Sequence, residues 1–146
     1  MTYTPKELYE RYVWTGMSRD AQAQAALFTP DGVFEAPLLP ADSPAPRRMQ
    51  GHDELGPGLA AYHRLAAGER RADPQRSRFV WHTTDDPDVF IAEVDTVMTG
   101  EGPDLTISLV QILRVRDGRI ASLRDYFDPG LLAGDPAETG GTAART

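Results

Sequence analysis

Between Val110 and Asp128 the chain reads Val-Gln-Ile-Leu-Arg-Val-Arg-Asp-Gly-Arg-Ile-Ala-Ser-Leu-Arg-Asp-Tyr-Phe-Asp. Two runs of strand-forming residues flank Asp117-Gly118, a dipeptide suited to the positive-φ turn of a two-residue β-hairpin. Strand side chains alternate between faces, so the second arm sets Asp125 on the same face as Leu123 and Phe127. A carboxylate among apolar neighbours is costly unless it is paired or used. That cost makes Asp125 the first candidate for chemistry.

The rest of the chain surrounds this hairpin with one domain. At 146 residues there is enough chain for one core and too little for two. Thr4-Pro5 with Glu7 has the spacing of a capped helix start, and Leu8, Tyr12 and Val13 form its apolar stripe. Asp20 caps a short second helix, Thr29-Pro30-Asp31-Gly32 reads as a turn, and Val33 to Pro37 as a short strand. Leu38 to Pro46 is a loop closing on a strand near Arg47 to Gln50. A third helix spans Asp53 to Gly68, with Gly56-Pro57 kinking it or delaying its start. Ala67 to Gln75 is a polar connection. Arg78 to Thr84, Val89 to Thr99, Thr106 to Arg116 and Arg119 to Asp128 then make an antiparallel meander. Helices followed by a meander predict an α+β fold in which N-terminal helices cover one face of a curved antiparallel sheet. The domain is expected over 1–129, with 130–146, rich in Gly, Ala and Thr, as a flexible tail.

Composition narrows the function classes. A net charge of -7 disfavours nucleic acid and anionic membranes as partners. No cysteine is present, so thiolate metal sites and cysteine nucleophiles are excluded. The histidines His52, His63 and His82 lack metal-ligand spacing, and no glycine-rich phosphate loop occurs; neither metal nor cofactor is expected. The N-terminus lacks the pattern of a signal peptide, so a soluble cytoplasmic protein is the expectation.

The candidate site gathers acids and aromatics. Glu93 and Asp95 share a strand face, and a tight turn at Asp86-Pro87 places Arg78 across from Asp95 and Val80 across from Glu93. Carboxylates converging in an apolar pocket cannot all ionise, so one stays protonated as an acid while another accepts a proton. The alternative is structural: Asp95 paired with Arg78, Asp125 with Arg114 or Arg124, and Tyr12 a core aromatic. Trp14, Phe34, Leu59, Tyr62, Trp81, Leu123 and Phe127 are expected to line the cavity, with His63 at its mouth. One of Trp81 and His82 faces inward. Such a lining suits an apolar ligand of some bulk.

Arg11-Tyr12-Val13 through Asp20, Leu27-Phe28, Asp31 and Glu35-x-Pro37 resemble ketosteroid isomerase, and Asp117-Gly118-Arg119-Ile120 to Asp128 resembles limonene epoxide hydrolase. Over residues 5 to 129 the chain is thus similar to the SnoaL-like branch of the nuclear transport factor 2 superfamily, which includes polyketide cyclases. The resemblance implies a curved antiparallel sheet forming a cone-like cavity covered by the N-terminal helices, and a homodimer through the outer face of that sheet. It puts Tyr12 where the isomerase keeps a hydrogen-bond donor, but Ala36 and Gln111 where that enzyme keeps an aspartate base and a protonated aspartic acid. Against the hydrolase, Asp95 and Asp125 match two catalytic aspartates. Glu93 replaces an arginine between them, and Phe34 and Ala36 replace residues that hold the water. The implied function is cofactor-independent acid–base catalysis, ring closure or isomerisation of a polyketide-type metabolite. Asp125 and Asp95 would be the pair, with Tyr12, Glu93 and Gln111 orienting the substrate. Epoxide hydrolysis and non-catalytic binding of a small molecule are the alternatives.

Overall fold

The computed structural model describes residues 2–65 and 68–132. Thr4 starts helix α1 (Pro5–Met17) through a capping box: its hydroxyl accepts from the Glu7 amide, and the Glu7 carboxylate accepts from its own. The Asp20 side chain accepts from the Ala23 amide and starts α2 (Ala21–Ala25). Helix α3 (His52–Leu65) begins right after Gly51 and runs through Pro57 rather than starting there.

Seven strands form one sheet: β1 (Phe28–Glu35), β2 (Arg48–Gln50), β3 (Arg71–Ala72), β4 (Arg78–Thr83), β5 (Val89–Thr99), β6 (Leu105–Arg116) and β7 (Arg119–Tyr126). Their order is β2-β1-β7-β6-β5-β3, with β4 also pairing β5. Asp117 and Gly118 take φ of 53° and 76°, so the β6–β7 turn is the positive-φ type the sequence predicts.

Four expectations change. The sheet is mixed, because β1 adds to the free edge of β7 in parallel, with Phe34 beside Leu123 and Glu35 beside Arg124. Thr29 to Gly32 lies inside β1 rather than forming a turn. The pairing slips between Phe28 and Val33, and the bulge leaves Pro30 and Asp31 exposed. The polar connection contains β3, paired with the end of β5. At the C-terminus, Pro129–Leu132 is a 3-10 turn with Leu132 buried, so packed structure passes the expected boundary at 129; residues 133–146 lie outside the described residues.

The concave sheet face and the helices enclose the core. Tyr9, Phe28, Phe34, Leu55, Leu113, Ile120 and Leu123 are almost fully buried, each such side chain contributing about 1.5–3 kcal/mol. On β5 the even-numbered residues Phe90 to Met98 point inward and the odd-numbered ones outward; on β6 the parity is reversed. Every candidate residue on these strands is therefore assigned to one face.

Candidate active site

A cavity of about 210 Å³ opens between the concave sheet face and the helices. Its wall is mostly apolar, and Asp125 is one of the polar residues that line it. The carboxyl is 8% exposed, and its Oδ1 is buried without a hydrogen-bond partner. Burial pushes its pKa up to about 7, and the Gln111 side chain pulls the other way. Gln111 is the direct cross-strand neighbour of Asp125. The Tyr9 hydroxyl donates to Gln111 Oε1. With its oxygen so occupied, Gln111 has its amide nitrogen left to serve Asp125.

Three tyrosines surround the acid. Burial, then the nearby Asp125, raises the pKa of Tyr9, Tyr12 and Tyr62, so each stays a neutral donor. Tyr62 spends its hydroxyl on the Pro46 carbonyl at 2.7 Å. Tyr12 lines the cavity, stacks on Tyr9 at 5.9 Å, and its hydroxyl donates to no group among the described residues. It is the tyrosine free to meet a ligand.

Asp95 and Glu93 do not join this site. Asp95 is paired across β5–β6 with Ser108, while Asp125 is paired across β6–β7 with Gln111. Ser108 and Gln111 are three residues apart on β6, an odd separation, so the two aspartates lie on opposite faces of the sheet. On the outer face Asp95 accepts from Ser108 Oγ at 2.6 Å and approaches Arg78 at 3.9 Å. Glu93 meets His82 Nε2 at 2.6 Å. Both cross-strand neighbours are those the sequence predicts, Arg78 for Asp95 and Val80 for Glu93, but on the solvent side. The two-aspartate arrangement is thus absent.

The expected lining divides likewise. Phe34, Leu59, Tyr62, His63, Gln111 and Phe127 line the cavity. Trp14 does not: two residues from Tyr12 is roughly 200° around a helix, and the indole is 58% exposed. Trp81 is the inward member of its pair, yet it stacks on Phe90 at 5.1 Å and backs Tyr9 at 5.3 Å without reaching the cavity. Leu123 is fully buried in the core beneath it. Tyr9, Arg19 and Gln24 belong to the cavity wall and are absent from the residues the sequence singles out. The signal for Tyr9 was present, because Tyr9, Tyr12, Val13 and Gly16 recur at helical spacing. Arg19 and Gln24 sit at helix ends, where periodicity carries no such signal.

A SnoaL-like domain model matches residues 7–123, most of the described chain. The chain belongs to the SnoaL-like family. It is 31% identical over 112 residues to an uncharacterised PhzA/B-like protein of Pseudomonas aeruginosa, covering 75% of this chain and 74% of that one. In structure it is similar to a candidate isomerase of Bacillus subtilis, with a TM-score of 0.73, 22% identity and coverage of 93% and 92%. A candidate polyketide cyclase of Pseudomonas putida superimposes with a TM-score of 0.62 at 17% identity, covering 88% and 95%. The last two likenesses speak for the fold alone. SnoaL-like membership accounts for the cone of curved sheet and helices.

Proposed function

We propose that this SnoaL-like protein is a cofactor-independent isomerase or cyclase of an apolar, polyketide-type metabolite, with Asp125 as a single general acid–base. The reading is carried by one observation, a carboxyl buried in an apolar cavity with one oxygen unpartnered, where burial pushes its pKa up to about 7. Such a group is ionised and protonated in comparable amounts at neutral pH, the condition for moving a proton in either direction. Isomerisation and intramolecular ring closure need no net proton: Asp125 takes one from an acidic C–H and returns it to another atom of the same molecule. The neutral Tyr12 hydroxyl would donate to the oxygen on which charge develops. Epoxide hydrolysis asks for water activation and oxygen protonation together, and the second aspartate for that task sits on the other side of the sheet.

Candidate substrates incubated in oxygen-18 water test the reaction class. A product of unchanged mass supports isomerisation or cyclisation, and label in a diol supports hydrolysis. Asp125→Asn is expected to lower turnover about 10²–10⁴-fold, the contribution of one positioned acid–base; wild-type turnover in a folded variant would sink the proposal. A second copy of the chain against the outer sheet face, where Val80 is 53% exposed, belongs to the same proposal and is checked by sedimentation.

A further inference from the structure

A buried, unpartnered nitrogen in the cavity wall has no part in the acid–base reading above. His63 on α3 lines the same cavity as Asp125, and its Nδ1 is buried with no hydrogen-bond partner among the described residues. Its other nitrogen is committed: Nε2 lies 2.8 Å from Gln24 Oε1. The roles in that contact follow from what lies behind it. Gln24 is 4% exposed, and its Nε2 lies 3.0 Å from the Tyr12 carbonyl oxygen. A carbonyl only accepts, so the Gln24 atom facing it is the amide nitrogen and the atom facing His63 is the oxygen. His63 Nε2 therefore donates. In a neutral imidazole the remaining nitrogen, Nδ1, then carries a bare lone pair.

The ring is held neutral by its surroundings. Burial, followed by the Arg19 guanidinium, lowers its pKa, while Asp20 opposes weakly. A cationic ring would also put an N–H at Nδ1 with nothing to accept it. The clasp that fixes the tautomer depends on close packing of α1 against α2: a Cβ at Gly16 would stand 2.9 Å from Gln24 Nε2.

We propose that His63 Nδ1 accepts a hydrogen bond from a hydroxyl of the substrate, so that the cavity selects a ring compound with a free phenolic or enolic O–H over its ether. A neutral donor fits better than an ammonium group, because Arg19 lines the same cavity. This rests on the cavity being the substrate site and adds its substrate class: an apolar body, an atom that exchanges a proton with Asp125, and a hydroxyl toward α3.

The test uses the full chain with nitrogen-15 histidine, His63 being assigned by its loss in His63→Phe, with 2-naphthol and 2-methoxynaphthalene as probes. At pH 7 the free protein should show His63 protonated on Nε2 alone. 2-Naphthol should move the Nδ1 resonance upfield; the ether should leave it in place and bind at least tenfold more weakly. In His63→Phe that preference should vanish. An imidazolium or Nδ1–H form in the free protein, or an Nδ1 signal unmoved at the solubility limit of 2-naphthol, overturns the proposal. If the preference is absent while Asp125→Asn still abolishes turnover, the hydroxyl subsite falls and the acid–base reading stands. The reverse pair of results separates them in the other direction.

Discussion

At Asp125 the proposed acid–base role and stability pull in opposite directions. Its pKa in the folded protein, about 7, stands above the ordinary aspartate value of 3.8, so the folded state binds the extra proton between these limits. Stability contributed by that proton is present at low pH and declines as pH rises from about 4 to about 7. The wild-type protein should thus lose stability relative to Asp125→Asn across this window. Above pH 7 the variant should be the more stable by a few kcal/mol, since each tenfold change in proton affinity corresponds to about 1.4 kcal/mol. Urea midpoints at pH 4.5 and 8 read the difference, and equal pH dependence in both proteins would contradict the buried acid. A second expectation concerns Tyr9, which is a positioning residue. Tyr9→Phe frees Gln111 Oε1 and loosens the amide that holds the Asp125 pKa down. Where Asp125 acts first as a base, kcat/KM rises with pH, and the midpoint of that rise should move upward in Tyr9→Phe. Both residues were open to sequence reading in different degrees. Asp125 announced itself by its cost on an apolar strand face, whereas Tyr9 matters through a partner 102 positions away.

At the scale of elements, local chemistry settled most of the secondary structure. The Thr4 capping box, the Asp20 cap and the Asp117-Gly118 turn all act within a few residues, and all three stand where the sequence puts them. Helix α3 shows the limit of local reasoning. Gly56 and Pro57 argue for a break, yet Leu55, Gly58 and Leu59 are buried and hold the helix against the sheet. Two glycines two positions apart in α3 should respond to different degrees. A Cβ at Gly56 meets nothing within 4 Å outside its chain neighbours, but Pro57 follows and crowds the Cβ of a helical residue before it. This offsets the helix propensity of alanine, and Gly56→Ala should change stability by less than about 1 kcal/mol. A Cβ at Gly58 would lie 1.8 Å from the sulfur of Met49, which is buried on β2. Gly58→Ala should destabilise by about 1–3 kcal/mol, the cost of overpacking a filled core. Thermal or urea unfolding of the two variants checks the contrast. Strand β1 carries the same lesson, since turn-forming residues at Thr29 to Gly32 are absorbed as a bulge once β7 offers an edge to pair with.

At the scale of the whole domain the sheet is a partition, with Asp125 and the cavity on one face and Asp95 and Glu93 on the other. Asp95→Asn and Glu93→Gln alter only outer-face contacts with Ser108, Arg78 and His82. Each should leave kcat/KM within about twofold of wild type, and their exposed pairs are worth at most about 1 kcal/mol of stability. A large loss of activity in either would return them to the mechanism. By itself the sequence determined the α+β class, the order of helices before a meander, the turn at Asp117-Gly118 and the apolar setting of Asp125. These follow from periodicity, capping and turn chemistry, all of which operate over a few neighbouring residues. Only the tertiary structure decided that β1 lies parallel to β7, that Tyr9 and Gln24 belong to the cavity, and that Asp95 and Asp125 face apart. Alternation says which residues of one strand share a side. Which side they share with another strand depends on the pairing register, where a shift of a single residue exchanges the two faces.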